Sequence, residues 1–253
     1  MRRIGVVLLS GGLDSTTVAA YAKAEGYELA ALSFNYGQRH WRELESAKKV
    51  AALLRMQHEV VDLPGLNRLA WYSALTTGGL AVPKDRTMGK ATKDIPITYV
   101  PLRNTVFLTL GAALLESRAL SLVENDKVDP KDLSASIFIA ANAVDYSGYP
   151  DCRPEYFEAM RKALFEGSKL GKQYGVPIGI ETPVLHMTKA EIVKLGVRLG
   201  APLEHTWSCY EGGDLPCGAC DSCLLRAKGF AQAGFKDPLL ERLRREGEIA
   251  EGK

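Results

Sequence analysis

The chain of 253 residues has no excess of either charge: 32 lysines and arginines against 30 aspartates and glutamates leave a net charge of +2. That removes the bulk electrostatic case for a nucleic-acid or membrane partner, and no cluster of Lys and Arg replaces it. No apolar run approaches the roughly 18 residues of a membrane helix. Met1-Arg2-Arg3 leads into an apolar run, residues 4–9, too short for the core of a signal peptide, so the run reads as a first buried strand. Internal repeats, low-complexity segments and long linkers are also missing. The histidines, His40, His58, His186 and His205, are scattered without ligand spacing, so they read as isolated surface or loop residues and not as a second metal site. Cysteines number five, and four of them crowd between 209 and 223. This is no disulfide framework of a small secreted domain. It points to a reducing, cytoplasmic compartment and to a metal site.

What is present begins at the end of that first strand, with Ser10-Gly11-Gly12-Leu13-Asp14-Ser15-Thr16. A strand running into a small-residue turn and then a helix start makes an anion site. Glycines let the backbone approach an oxyanion, and unpaired N–H groups and the helix dipole favour negative charge. Ser10, Ser15 and Thr16 add hydroxyls. The loop lacks the Gly-Lys-Ser/Thr of a Walker A loop and the Gly-x-Gly-x-x-Gly of a dinucleotide fold. It resembles the Ser-Gly-Gly-x-Asp-Ser pyrophosphate loop of the N-type ATP pyrophosphatases, which use ATP to adenylate a substrate oxygen.

The first half alternates in the βα manner. Strands are expected at 4–9, 28–34, 58–63 and 135–141, and helices at 15–25, 40–56 and 104–118. This predicts an α/β fold, an open parallel sheet with helices on both faces, over an ATP-binding domain of residues 1–150. Ligands in such sheets sit at the carboxyl ends of strands, which turns attention to loops 10–15, 35–38 and 142–153. The irregular stretch 71–99 is either a lid or a surface excursion. From 151 to 253 the pattern is helical, at 155–174, 188–200, 221–233 and 239–247, and reads as a C-terminal subdomain packed on the sheet.

Cys209, Cys217, Cys220 and Cys223 follow the spacing C-x7-C-x2-C-x2-C. Four thiolates on a tight loop fill a tetrahedron and leave no open position, the pattern of one structural Zn²⁺ per chain. An iron–sulfur cluster is the alternative, although the spacing departs from the ferredoxin run. Cys152 stands apart, either a small loop residue or a thiol near substrate.

Four further segments narrow the enzyme class: 99–105 (Tyr99-Val100-Pro101-Leu102-Arg103-Asn104-Thr105), 142–157, 182–191 and the cysteine-bearing stretch 206–223. Together with the loop they resemble the 7-cyano-7-deazaguanine synthase (QueC) family of queuosine biosynthesis, over roughly residues 4 to 233. Residues 123–132 and the charged tail after Lys236 have no counterpart we can place. The resemblance implies a C–N bond-forming ligase that converts 7-carboxy-7-deazaguanine, ammonia and ATP, with Mg²⁺, into the nitrile, as a homodimer. A carboxylate is a poor electrophile. Adenylation supplies a leaving group, ammonia gives an amide, and a second ATP activates the amide oxygen to yield the nitrile.

Expected roles follow from that chemistry. Leu9, Ser10, Gly11, Gly12, Leu13, Asp14, Ser15 and Thr16 hold ATP phosphates, and Phe34 and Tyr36 meet adenine or ribose. Asp14 is a Mg²⁺ ligand or orients the loop. Arg103 and Asn104 hold phosphate or the substrate carboxylate, with Arg suited to a bidentate pair. Asp145 and Tyr149 read the deazaguanine. Lys189 is either a phosphate ligand or a plain first-turn residue of a helix capped by Thr188 and Glu191. The rival enzyme is a transfer-RNA sulfur-transfer protein, which needs a reactive cysteine and a basic face; the rival of another class is a metal-stabilised nucleotide-binding module without catalysis.

Overall fold

The computed structural model describes residues 1–37, 41–73, 76, 95, 97–144, 149–211 and 213–249. Five strands, β1 (Arg2–Leu8), β2 (Glu28–Asn35), β3 (Gln57–Asp62), β4 (Leu133–Phe138) and β5 (Ile178–Glu181), pair in parallel in the order β3-β2-β1-β4-β5. β1 is central, with Val6 opposite Ala30 on one side and Ile137 on the other. Residues 4–8 are buried on both faces, which is why β1 reads as a continuous apolar run and not as an alternating one.

The helices are α1 (Leu13–Ala24), α2 (Trp41–Leu53), the single turn α3 (Leu66–Leu69), α4 (Arg103–Glu124), α5 (Pro154–Gly167), α6 (Lys169–Tyr174), α7 (Lys189–Arg198), α8 (Asp221–Ala233) and α9 (Pro238–Arg245). The pleat sorts β1 between two cores. Ile4, Val6 and Leu8 pack with Leu108, Leu115 and Phe157 under α4 and α5. Val7 and Leu9 pack with Val18, Val50, Ile192 and Phe230 under α1, α2, α7 and α8. A third, small cluster joins Trp207 and three of the cysteines to Leu239 and Leu243 of α9. The expected open parallel sheet, covered on both faces, is the architecture found.

Three details differ from the sequence pattern. The region after 150 is not wholly helical, because β5 extends the sheet beside β4. Its four residues, Ile-Gly-Ile-Glu, carry too short a pattern to register as a strand. The helix expected over 155–174 is two, broken at Ser168, whose side chain accepts the Gly171 N–H and caps α6. Helix α4 runs to Glu124 and, among the described residues, is long and apolar enough to cross a membrane. It lies instead along β1 and β4, burying Leu108, Gly111, Ala112, Leu115 and Ala119.

From β1 the chain winds outward to β2 and β3, then returns to place β4 and β5 on the other side. The reversal opens a crevice at the carboxyl ends of β1 and β4, where such sheets bind ligands.

Candidate active site and metal centre

A cavity of about 320 Å³ occupies that crevice. Its walls come from the loop after β1, the end of β2, the first turns of α1, α2, α4 and α7, and the segment 207–210. The predicted Leu9, Ser10, Gly12, Leu13, Asp14, Ser15, Phe34, Tyr36, Arg103, Asn104, Tyr149 and Lys189 all line it. Gly11 and Thr16 do not. Thr16 is fully buried beneath the loop, and its Oγ1 has no hydrogen-bond partner. Asp145 lies outside the described residues, as does most of the stretch 71–99.

The loop is held from within. Ser10 Oγ and Ser15 Oγ are 3.0 Å apart, Gly12 N–H donates to Ser10 Oγ at 3.3 Å, and Ser15 Oγ donates to the Gly12 carbonyl at 3.2 Å. No side chain caps α1 at Gly12, and the first turn of α1 lines the cavity. Gly11 has φ +83°, and a Cβ there would stand 2.2 Å from the Glu43 carbonyl oxygen and 2.6 Å from Ala47 N. Only glycine allows α2 to pack this tightly on the loop.

Asp14 Oδ1 and Oδ2 accept from Lys189 Nζ at 2.8 and 2.6 Å, joining residues 175 positions apart. The capping box is also present: Thr188 Oγ1 accepts the Glu191 N–H, and Thr188 N–H donates to Glu191 Oε2 at 2.7 Å. The two expectations for Lys189 are therefore compatible, since the cap uses its neighbours and leaves the ammonium for the cavity. Gly229 of α8 makes room for it, because a Cβ there would sit 2.4 Å from Lys189 Cγ.

On the opposite wall, Arg103 begins α4 directly after Leu102, which adopts φ +54°, a left-handed conformation that is costly for leucine. Burial opposes the Arg103 charge, but Tyr36, Tyr149 and Asp151 outweigh it and hold its pKa above the usual arginine value. Asn104 Nδ2 donates to the Asp151 carbonyl at 3.1 Å and to Cys152 Sγ at 3.3 Å, so its amide nitrogen fixes the 3-10 turn Pro150–Cys152. Burial pushes the Cys152 thiol up to about 11, keeping it protonated and a poor nucleophile. Tyr149 shares a 2.7 Å hydrogen bond with Thr98 Oγ1, and burial raises its pKa as well.

Of the wall residues absent from the sequence-based set, four bear most on the chemistry and shape of the cavity. Phe107 stacks on Phe34 with centroids 3.9 Å apart and planes within 9°. The i,i+4 spacing from Arg103 on an apolar helix is the one signal that could have found it. Glu43 faces the loop from the first turn of α2. Desolvation pushes its carboxyl up to about 8, against the pull of Arg103. Trp207 sends its backbone N–H to the Gly11 carbonyl at 2.9 Å, and Arg42 lies over its ring while pairing with Asp214. Arg226, buried in α8, completes the wall.

Two residues past Trp207 begins the metal centre. The sulfurs of Cys209, Cys217, Cys220 and Cys223 all lie within 4.8 Å of one another and could hold a metal ion. Backbone N–H groups point at them, from Cys217 to Cys209 Sγ at 3.4 Å and from Ala219 and Cys220 to Cys217 Sγ at 3.4 and 3.3 Å, the donor pattern that steadies thiolate ligands.

The model of the family described as queuosine biosynthesis protein QueC matches residues 4–234. The chain is 50% identical over 240 residues to the 7-cyano-7-deazaguanine synthase of Thermoplasma acidophilum, covering 94% of this chain and 92% of that protein. It is 47% identical over 241 residues to the synthase of Thermoplasma volcanium, covering 94% and 91%. It is 46% identical over 235 residues to that of Nostoc sp., covering 92% and 95%.

Proposed function

The chain belongs to the QueC family, and from that premise we propose that the cavity at the β1–β4 crevice is one active site that performs two ATP-dependent activations in succession. The protein is a ligase that converts 7-carboxy-7-deazaguanine to 7-cyano-7-deazaguanine at the expense of ATP. The observation that carries the single-site reading is the convergence of an anion loop, a charged arginine and an aromatic wall on one cavity of about 320 Å³.

Ser10, Gly12, Ser15 and the uncapped start of α1 receive the ATP phosphates, where fixed donors meet developing negative charge. Asp14, the carboxylate of the loop, would hold Mg²⁺, which screens the phosphates; Lys189, already beside it, adds a cation there. Arg103 binds the substrate carboxylate and later the amide oxygen. The flat faces of Phe34, Phe107, Tyr36 and Tyr149 receive the heterocycles. Attack of a substrate oxygen on the α-phosphorus releases pyrophosphate in both rounds, so AMP is the nucleotide product each time.

The four cysteines would hold Zn²⁺ as a closed thiolate set, which supplies rigidity and leaves no reactive position. That role suits their place, because the Trp207 link ties the cluster to the phosphate loop. The reading includes a homodimer, which the family resemblance implies, in the reducing cytoplasm to which the cysteine usage points.

The test supplies the purified protein with 7-carboxy-7-deazaguanine, ammonia and MgATP, and follows products by mass spectrometry. The amide is expected as an intermediate, and the amide with ATP alone should give the nitrile. Ser10→Ala should slow both half-reactions by similar factors. An inert amide, or a variant that slows one half-reaction only, overturns the single-site reading.

A further inference from the structure

Nitrile formation sheds protons from one nitrogen. Ammonia attacks the acyl adenylate, the C–N bond forms, the C–O bond to AMP breaks, and one proton leaves to give the amide. The amide oxygen then takes AMP from a second ATP, releasing pyrophosphate. Breaking that C–O bond forms the nitrile, releases AMP and sheds the two remaining protons. No amide can accumulate positive charge on nitrogen and still expel AMP cleanly, so the cavity needs a proton acceptor beside the phosphate loop.

The candidates on the wall are few. Asp14 is engaged by Lys189 through both carboxylate oxygens. The Cys152 thiol stays protonated. Tyr149 is raised by burial and bonded to Thr98. Glu43 is different. It lines the same cavity, and among the described residues its carboxyl has neither a hydrogen bond nor an ion pair; Arg103 acts on it only at a distance. Its position is fixed, because its own carbonyl packs against Gly11 so closely that no Cβ would fit between them. The helix that carries it is therefore keyed to the loop that holds the phosphates. With its carboxyl pushed up to about 8, the ionised form is present in quantity around pH 8, and it binds a proton strongly enough to take one from nitrogen and still release it to water within each turnover.

We propose that Glu43 is the proton acceptor of the amination, taking the protons that the ammonia nitrogen sheds on becoming first an amide and then a nitrile. This rests on the reading of the cavity as the site of both activations. Adenylation itself transfers no proton, so Glu43 has no part in it.

The experiment compares wild type, Glu43→Gln and Glu43→Asp in three assays. These are exchange of labelled pyrophosphate into ATP dependent on 7-carboxy-7-deazaguanine, amide formation from ammonia, and nitrile formation from supplied amide. Glu43→Gln is expected to keep the exchange within about twofold while both nitrogen steps fall by about 10²–10⁴-fold, the range of a lost general base. Glu43→Asp should recover part of both. If Glu43→Gln does not fold, Glu43→Asp is read alone, with loss in the nitrogen steps and retention of exchange expected. Nitrogen steps within threefold of wild type overturn the proposal, and so does exchange that falls as far as they do, because the residue then serves nucleotide binding. Wild type that forms no nitrile overturns the reading beneath it, and the proposal with it.

Discussion

Arg226→Met tests how the cysteine-bearing lobe is fastened. Arg226 is 6% exposed and sits inside a cage of acceptors. Its Nε and Nη2 donate to the two Asp237 oxygens at 2.6 and 2.9 Å, Nη1 to Thr206 Oγ1 at 2.8 Å and Ser208 Oγ at 3.3 Å, and Nη2 to the Leu203 carbonyl at 3.3 Å. Asp237 also caps α9 by accepting the Leu239 N–H at 3.0 Å. Methionine fills much of the stem volume but leaves the Asp237 carboxylate buried without a cation. Removing one partner of a buried pair destabilises by about 3–5 kcal/mol. For a domain of this size each kcal/mol lowers Tm by roughly 2–4 °C, so a fall of about 6–20 °C is expected. The assay is calorimetry at fixed protein and zinc concentration, because bound metal shifts Tm by mass action. Arg226→Met/Asp237→Leu removes both charges together. It should recover most of the loss, with about 1 kcal/mol still missing for the cap. A single variant within 1 kcal/mol of wild type refutes the reasoning, and so does a double variant whose loss equals the sum of the two single losses.

Elemental analysis should find one zinc per chain, and Cys220→Ser should lose both the metal and several kcal/mol of folding free energy; iron, or a folded metal-free protein of full activity, contradicts the zinc assignment. Gly11→Ala should fold with α2 displaced, since its Cβ has no room and its φ is unfavourable by about 1–2 kcal/mol for an L residue. A shift near 1 Å at the loop should lower pyrophosphate exchange by about 100-fold, and unchanged exchange would show that the loop geometry is not critical. Cys152, held protonated by burial, should resist alkylation in the folded protein at pH 8, as read by peptide mass spectrometry; rapid labelling there would reopen a nucleophilic role.

Much of this arrangement was legible because it is local. The run into Ser10-Gly11-Gly12 announces strand, turn and helix start within a dozen residues, and the four cysteines announce their cluster by spacing. The limits were set by what is spatial. β5 has only Ile178 and Ile180 to mark it, and those are also residues a helix could bury. Ser168 breaks a helix whose apolar period runs on without a gap. Glu43 and Trp207 reach the cavity because α2 and the segment after residue 205 are laid against the loop by tertiary packing, and no periodicity records that. The Asp14–Lys189 pair is likewise invisible until α7 is brought to the start of α1.

The central place of β1 has a consequence for the order in which the chain is made. β1 is synthesised before its neighbours, and it gains β2 soon afterwards. The face of Ile4, Val6 and Leu8 first meets Leu108 and Leu115 of α4, but the other edge of β1 waits for Leu133–Phe138. At about 5–20 residues per second, the wait on the ribosome is on the order of ten seconds. Throughout that interval the growing chain presents an unpaired, apolar strand edge, the surface through which nascent chains aggregate and to which chaperones bind.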